Sequence, residues 1–287
     1  MRVVFFGAGA SHGSESTAKV PPLGAKLFDE LIQFAPTTWG TLQTNWSSQF
    51  RSDFEIAMAS FIQSGAFGAP LQWDMAEYFF SQFLATKSSV YAALIEALSS
   101  NIDRYLFVTI NYELLLFQAR AIAGVSKDKF LVCLPHGNSC LCCEGVSATP
   151  GVSFTGGVST GGRVRVFKNH ADFRAEKSKN VFPPVMSYYE LNKFTVSCSN
   201  FIQGERTRFE QAILSAEKIA VVGVKVHPVD RHIWQPLAKT KAHILYLSGS
   251  SAANDFSTWC ANEGRSGDLP IDKYFSEGLK ELITFLS

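Results

Sequence analysis

Near its amino terminus the chain reads VVFFGAGASHGSES. Gly7 and Gly9 close an apolar run, and without a Cβ the backbone there can turn sharply and bring its N–H groups against a phosphate. A lone G-x-G after a strand is often only a tight turn. The full dinucleotide fingerprint G-x-G-x-x-G fails, because its sixth position is His12. The acidic ribose ligand expected about 20 residues on is also missing, since Asp29 and Glu30 lie on a helical pattern. An ordinary nicotinamide dehydrogenase is therefore disfavoured. Four further polar clusters stand out: Asn111-Tyr112-Glu113, Pro135-His136-Gly137-Asn138, Gly223 followed by Lys225, His227, Pro228 and Asp230, and SGSS beginning at Ser248. An imidazole such as His136 can accept a proton, hold a water, or simply bond the end of a sheet. The Asn111 amide is no base, but it can hold a water or a sugar hydroxyl, or cap the helix that follows it.

Each cluster follows an apolar run rich in β-branched and aromatic residues: VVFF (3–6), LFVTI (106–110), FLVCL (130–134), IAVVGV (219–224) and HILYL (243–247). Such non-alternating runs are expected of parallel strands covered on both faces. Helical patterns lie between them, including NYELLLFQARAIAG, with Gly124 as its C-cap, FIQGERTRFEQAILSAEK and the final YFSEGLKELITFL. The pattern predicts an α/β fold with a Rossmann-like parallel sheet flanked by helices. Ligands of such sheets bind beyond the carboxyl ends of the strands, where all five polar clusters fall. Residues 23–100 read as helix throughout and form a helical insert after the first strand. The domain reading is thus 1–22 with 101–287 as the nucleotide-binding unit and 23–100 as the insert. The region from about 144 to 194 is rich in Gly, Ser and Thr, and its VSFTGGVSTGGRVRVF suggests a loop or a small antiparallel hairpin.

Composition excludes several classes. Lys+Arg 26 against Asp+Glu 25 leaves a net charge of +1 with no basic block, so nucleic acid is not an expected partner. No apolar run approaches the roughly 18 residues of a membrane helix. The opening run is interrupted by glycines where a signal helix would continue, and a cytoplasmic protein is expected. The six cysteines, Cys133, Cys140, Cys142, Cys143, Cys198 and Cys260, are then expected as thiols. Only 18% of residues are charged, which suggests that another subunit covers some apolar surface.

The series GAGAS, TINYE, LPHGN and VVGV, in order at successive strand ends, resembles the sirtuins. It is more similar still to the sirtuin-like NAD-degrading enzymes of bacterial anti-phage defence. The resemblance runs from residue 3 to about 250. It implies that NAD+ is the substrate, bound along Gly7 to Ser11, with Ala8, Gly9, Ala10 and Ser11 cradling the pyrophosphate. It implies that Asn111 positions the nicotinamide ribose or a water, that His136 acts as base or orients the nucleophile, and that Glu113 orients. Gly223 and the Ser248-Gly249-Ser250 turn would approach the adenosine side. Residues 12–20 read as a mobile cover.

Three departures qualify the resemblance. The Phe-Arg pair that deacylating sirtuins carry after the first motif is absent, which disfavours deacylation. Their Gly-Thr-Ser is here Gly223-Val224-Lys225, where Lys225 meets a phosphate or points to solvent. Cys140 and Cys143 have the Cys-x-x-Cys spacing of a zinc pair, but the second pair is missing, so no metal is expected. The expected function is NAD+ glycohydrolase, releasing nicotinamide and ADP-ribose as the NAD-depleting effector of an anti-phage system. The alternatives are an NAD-dependent deacylase or ADP-ribosyl transferase, and a non-catalytic NAD- or ADP-ribose-binding module. Because the chain ends soon after the core, its activator is expected to be a separate sensor protein, self-assembly as a homo-oligomer, or both.

Overall fold

The computed structural model describes residues 1–16, 18–64, 68–145, 160–187, 197–227 and 230–287. The five apolar runs all form strands, and a sixth joins them. In chain order the elements are β1 (Arg2–Phe6), α1 (Ala8–His12), α2 (Gly24–Phe34), α3 (Thr44–Ser52), α4 (Phe54–Gln63), α5 (Ala69–Ser81), α6 (Val90–Leu98), β2 (Tyr105–Thr109), α7 (Leu115–Ile122) and β3 (Leu131–Cys133). There follow β4 (Leu141–Glu144), β5 (Arg163–Val166), α8 (His170–Lys177), α9 (Ser199–Ser215), β6 (Lys218–Val222), α10 (Arg231–Lys239), β7 (His243–Ser248), α11 (Ser250–Asn262), β8 (Leu269–Asp272) and α12 (Leu279–Leu286).

Six strands make one parallel sheet in the order β3-β2-β1-β6-β7-β8. The chain builds outward from β1 through β2 and β3, then returns to the other side of β1 for β6, β7 and β8. The order therefore reverses between β1 and β6, the position at which sheets of this kind bind their ligands. Register aligns the edge, with Thr109, Phe6, Val222 and Leu247 in one row across four strands. Gly7, Asn111, Gly223 and Ser248 consequently emerge along a single border. The sixth strand, LPID, escapes the sequence reading because it is an edge strand containing Pro270 and largely exposed on both sides.

The insert shares its core with the sheet. Val4 and Phe6 of β1 belong to the same buried cluster as Leu27, Phe28 and Leu31 of α2 and Tyr91 of α6. The Phe6 and Tyr91 rings meet edge-on at 4.9 Å. The RVRV end of the motif is a strand, β5, but its antiparallel partner is β4, which lies before the motif, with Cys143 opposite Val164; residues 152–159 of the motif lie outside the described residues. Cys143 is disulfide-bonded to Cys198, which precedes α9. This corrects the expectation of six thiols, because the hairpin carries Cys143 to a residue 55 positions away in sequence. It also dissolves the Cys140–Cys143 zinc pair. Burial pushes the Cys140 thiol up to about 12, and among the described residues no three His, Cys, Asp or Glu side chains gather as a metal site.

The insert is tied to α8 by charge. Glu77 of α5 receives Arg174 Nε at 3.0 Å and Lys177 Nζ at 2.7 Å, with His170 Nε2 at 2.8 Å, and Lys177 also reaches Asp74. Burial alone would raise the Glu77 carboxyl, but the hydrogen bonds from Lys177, Arg174 and His170 prevail and hold it at about 2. A depressed folded value stabilises above the unfolded range and is lost as pH falls. Glu77→Gln is thus expected to cost about 2 kcal/mol at pH 7, discounted because its cations are partly solvated. The gap should close between pH 4.5 and 2, as urea titrations at each pH would measure. A constant gap would rule out the ion pairs as its source.

Candidate functional site

The β1–α1 turn lies directly against the start of the β6–α10 loop. Gly7 N–H donates to Val222 O at 3.0 Å and Gly9 N–H to Gly223 O at 2.9 Å. Gly223 has φ +62°, and a Cβ there would stand 2.1 Å from Ala10 N. The glycines at the crevice therefore serve first to let two backbones touch. Ala8 is exposed at the turn, while Gly7, Ala10 and Ser11 are buried.

Ser11 is a hub. Its Oγ donates to Glu113 Oε1 at 2.6 Å, accepts from Asn111 Nδ2 at 2.9 Å, and lies 2.8 Å from Tyr91 Oη. A hydroxyl has one proton and two lone pairs, so these three partners use its full capacity. The Ser11 hydroxyl is thus fully engaged within the protein, which leaves its backbone, with that of the rest of the turn, as the part of Ser11 that could face a phosphate. Asn111 Nδ2 also donates to Gly7 O at 3.0 Å, so both of its amide protons are committed. What Asn111 can offer a ligand is Oδ1, an acceptor suited to a water or a sugar hydroxyl. It does not cap α7, whose N-cap is Leu114. Glu113 is buried, and desolvation raises its carboxyl to about 7 despite the Ser11 hydrogen bond and one from its own backbone.

His136 stands on a loop laced to the Asn111 loop. Asn138 Nδ2 donates to the carbonyls of Asn111 at 3.3 Å and Glu113 at 3.1 Å, and Ser139 Oγ donates to Tyr112 O at 2.6 Å. Behind it, Ser187 N–H donates to His136 O at 2.9 Å, and Arg206 Nε donates to Pro135 O at 3.3 Å. The His136 ring faces His232 of α10, with the two Nε2 atoms 2.8 Å apart.

Other expectations fare differently. Ser248, Gly249 and Ser250 form the β7–α11 turn on the same border; Ser250 Oγ donates to Asp272 Oδ2 at 2.7 Å. Lys225 is exposed, and Pro228 lies outside the described residues. The segment read as a mobile cover is held down. Glu15 Oε2 accepts from the Thr86 N–H and hydroxyl at 2.9 and 2.8 Å, Val90 N–H donates to Ser14 O, and Ser16 meets Ser88. Thr17 of that segment is outside the described residues. Sequence reasoning missed Tyr91, Asn138 and His232. Asn138 was legible as part of PHGN, whereas Tyr91 and His232 sit on helices whose approach to the sheet edge only the fold reveals.

A six-stranded parallel sheet in this order, with polar residues at the β1–β6 switch, defines a Rossmann-like, doubly wound α/β fold. The particular fold is sirtuin-like. A solved structure from "Structural Basis for the Mechanism and Regulation of Sir2 Enzymes" is similar over 99% of this chain and 91% of its own, at 12% identity and a TM-score of 0.50. A Sir2 homolog–NAD complex is similar over 99% and 88% (12% identity, TM-score 0.47), and a complex of a mutant Sir2 homologue with ADP ribose over 99% and 91% (13%, 0.45). No protein-family model matches the chain, and no curated protein matches it.

Proposed function

We propose that this chain binds NAD+ in the β1–β6 crevice and hydrolyses the bond between nicotinamide and ribose. The observation that carries the reading is Asn111. It is buried at the switch point with both amide protons tied to Gly7 and Ser11, so Oδ1 alone is presented to a ligand hydroxyl or water. The fold likeness to Sir2 proteins supports a nicotinamide dinucleotide as that ligand.

In the proposed reaction the pyrophosphate lies against the Gly7–Ser11 turn and Gly223, and the adenosine lies toward Ser248, Gly249 and Ser250. Asn111 Oδ1 holds the ribose or the attacking water. The C1′–N bond breaks with its electron pair leaving on nicotinamide, through an oxocarbenium-like centre. Water oxygen bonds C1′, and its proton passes to His136. Glu113 takes no proton from substrate in this scheme; it orients Asn111 through Ser11. The products are nicotinamide and ADP-ribose. We place the activity in an NAD-depleting anti-phage effector, silent until a sensor partner or self-assembly switches it on.

The test is nicotinamide release from NAD+, measured with and without the product of the neighbouring gene. Asn111→Ala and His136→Ala are each expected to slow release by about 10²-fold or more while retaining the fold. Wild-type rates in both variants would remove the proposal. Turnover that requires an acylated peptide would identify a deacylase. Tight NAD+ binding without turnover under any condition would identify a signalling module.

A further inference from the structure

A sheet that binds NAD commonly offers the adenosine ribose a carboxylate, which accepts from its 2′-hydroxyl. The two acids at the usual distance after the glycines are engaged elsewhere. On α2, Asp29 accepts from Arg51 Nε at 3.0 Å, and Glu30 accepts from Lys19 Nζ at 2.7 Å and from Tyr78 Oη at 3.1 Å. The fold supplies another acid from near the carboxyl end of the chain. β8 runs parallel to β7 with Asp272 level with Ser248, so Asp272 stands on the same border as the β7–α11 turn. Its Oδ2 accepts from Ser250 Oγ at 2.7 Å, and its Oδ1 meets no donor among the described residues. The residue is exposed, and the adjoining cation, Lys273, pairs with Glu281 of α12.

Tyr274 flanks the same turn. A Cβ on Gly249 would lie 3.2 Å from its Cε1 and 3.4 Å from its Oη, yet the residue is 63% exposed. Its main chain is held: the N–H donates to Glu277 Oε2 at 3.0 Å, and the carbonyl accepts from the Glu277 and Gly278 N–H groups. The next residue, Phe275, is buried against the rings of Phe6 and Tyr91. An uncovered aromatic ring on a held backbone, beside a carboxylate with a free acceptor oxygen, matches the two parts of a nucleoside: a base to stack and a diol to bind. We infer that Asp272 accepts from the adenosine 2′-hydroxyl and thereby selects NAD+ over NADP+, with Tyr274 as the platform for the adenine. This deepens the proposed function and rests on its placing of the adenosine at Ser248, Gly249 and Ser250. A 2′-phosphate would replace the donating hydroxyl with up to about two negative charges facing the carboxylate. In a site open to water that repulsion amounts to about 30-fold in affinity.

Calorimetry of the full chain with ADP-ribose and with 2′-phospho-ADP-ribose tests this without requiring turnover. Wild type is expected to bind ADP-ribose more tightly by about 30-fold. Asp272→Asn keeps an acceptor oxygen for Ser250 and removes the charge. It should bring the two Kd values to within about threefold of each other, chiefly by tightening the phosphorylated ligand. Tyr274→Ala should weaken both ligands by about tenfold and leave their ratio in place. Equal affinities in wild type would overturn the inference and leave NAD+ binding standing. So would an equal change of both ligands in Asp272→Asn, the result expected of a carboxylate that only holds the start of α11. Unchanged affinities in Tyr274→Ala would overturn the placement of the adenine, and the inference with it. A wild-type protein that binds neither ligand would remove the proposed function itself, together with this inference.

Discussion

Gly223→Ala is expected to lose on the order of 4 kcal/mol of stability and, with it, ADP-ribose binding. Three costs combine. At φ +62° an L side chain sits in the left-handed region, worth about 1 kcal/mol against it. The new methyl would then stand 2.1 Å from Ala10 N and 2.5 Å from Gly9 C. Both are backbone atoms, so no side chain can swing aside. Relief must come from moving the β1–α1 turn away from β6. That movement breaks the Gly9-to-Gly223 bond and strains the neighbouring Gly7-to-Val222 bond, at about 1 kcal/mol or more each. It also drags Ser11, and therefore Asn111 and Glu113, which hang on the same turn. Gly13→Ala is the control, since Gly13 has φ −111° and nothing within 4 Å of an added Cβ. It should lie within about 0.5 kcal/mol of wild type. Urea unfolding gives the stabilities, and calorimetry with ADP-ribose gives the binding. Equal stability of Gly223→Ala and Gly13→Ala would mean that the two backbones do not touch in solution.

That contact marks the boundary between what was legible in the sequence and what was not. Five of six sheet strands announce themselves because burial on both faces demands unbroken apolar runs. Their polar sequels then mark the border at which sheets of this kind bind ligands, without any side-chain geometry. β8 is silent because it is short, largely exposed and broken by Pro270, whereas β3 at the opposite edge keeps an apolar run. α10 is hidden for another reason: Pro236 lies inside it and interrupts a helical pattern that tertiary packing nonetheless sustains. α11, SSAANDFSTWCAN, is poor in strong helix formers. At the candidate site, the motif resemblance names Ser11, Asn111 and Glu113 but not the wiring that joins them. Ser11 reads as a phosphate ligand when its motif is seen alone. Tyr91 arrives from 80 residues away and, with Asn111 and Glu113, takes up the hydroxyl. The Cys143–Cys198 bond and the His136–His232 pair fail to show for the same physical reason. Each depends on where a loop or helix end lands, which periodicity does not encode.

A second large effect is expected from pH, centred on Glu113. Desolvation lifts its carboxyl from 4.5 to about 7, while the hydrogen bonds from Ser11 and its own backbone only moderate the rise. Between those values the folded chain holds a proton that the unfolded chain has released. Stability from this group is therefore complete below pH 4.5 and is lost as pH climbs through 7, by about 3 kcal/mol in all. Glu113→Gln cannot ionise and should escape that loss. Its ΔG-versus-pH curve should stay flat through the window where wild type declines, whatever offset the new amide adds at low pH. The comparison of slopes, from urea titrations between pH 4.5 and 8.5, isolates the carboxyl from changes in packing. Glu77 does not interfere, because its contribution varies only below pH 4.5 and with the opposite sign. Parallel curves for wild type and Glu113→Gln would show that the carboxyl is solvated in the folded state, and the buried hub joining Ser11, Asn111, Glu113 and Tyr91 would fall with it. A declining wild-type curve beside a flat variant would establish that the protein carries a destabilising buried charge at neutral pH. Such a cost persists where a site needs it, and in the proposed reaction the ionised carboxylate is the acceptor that holds the Ser11 proton and leaves the Ser11 lone pairs to orient Asn111.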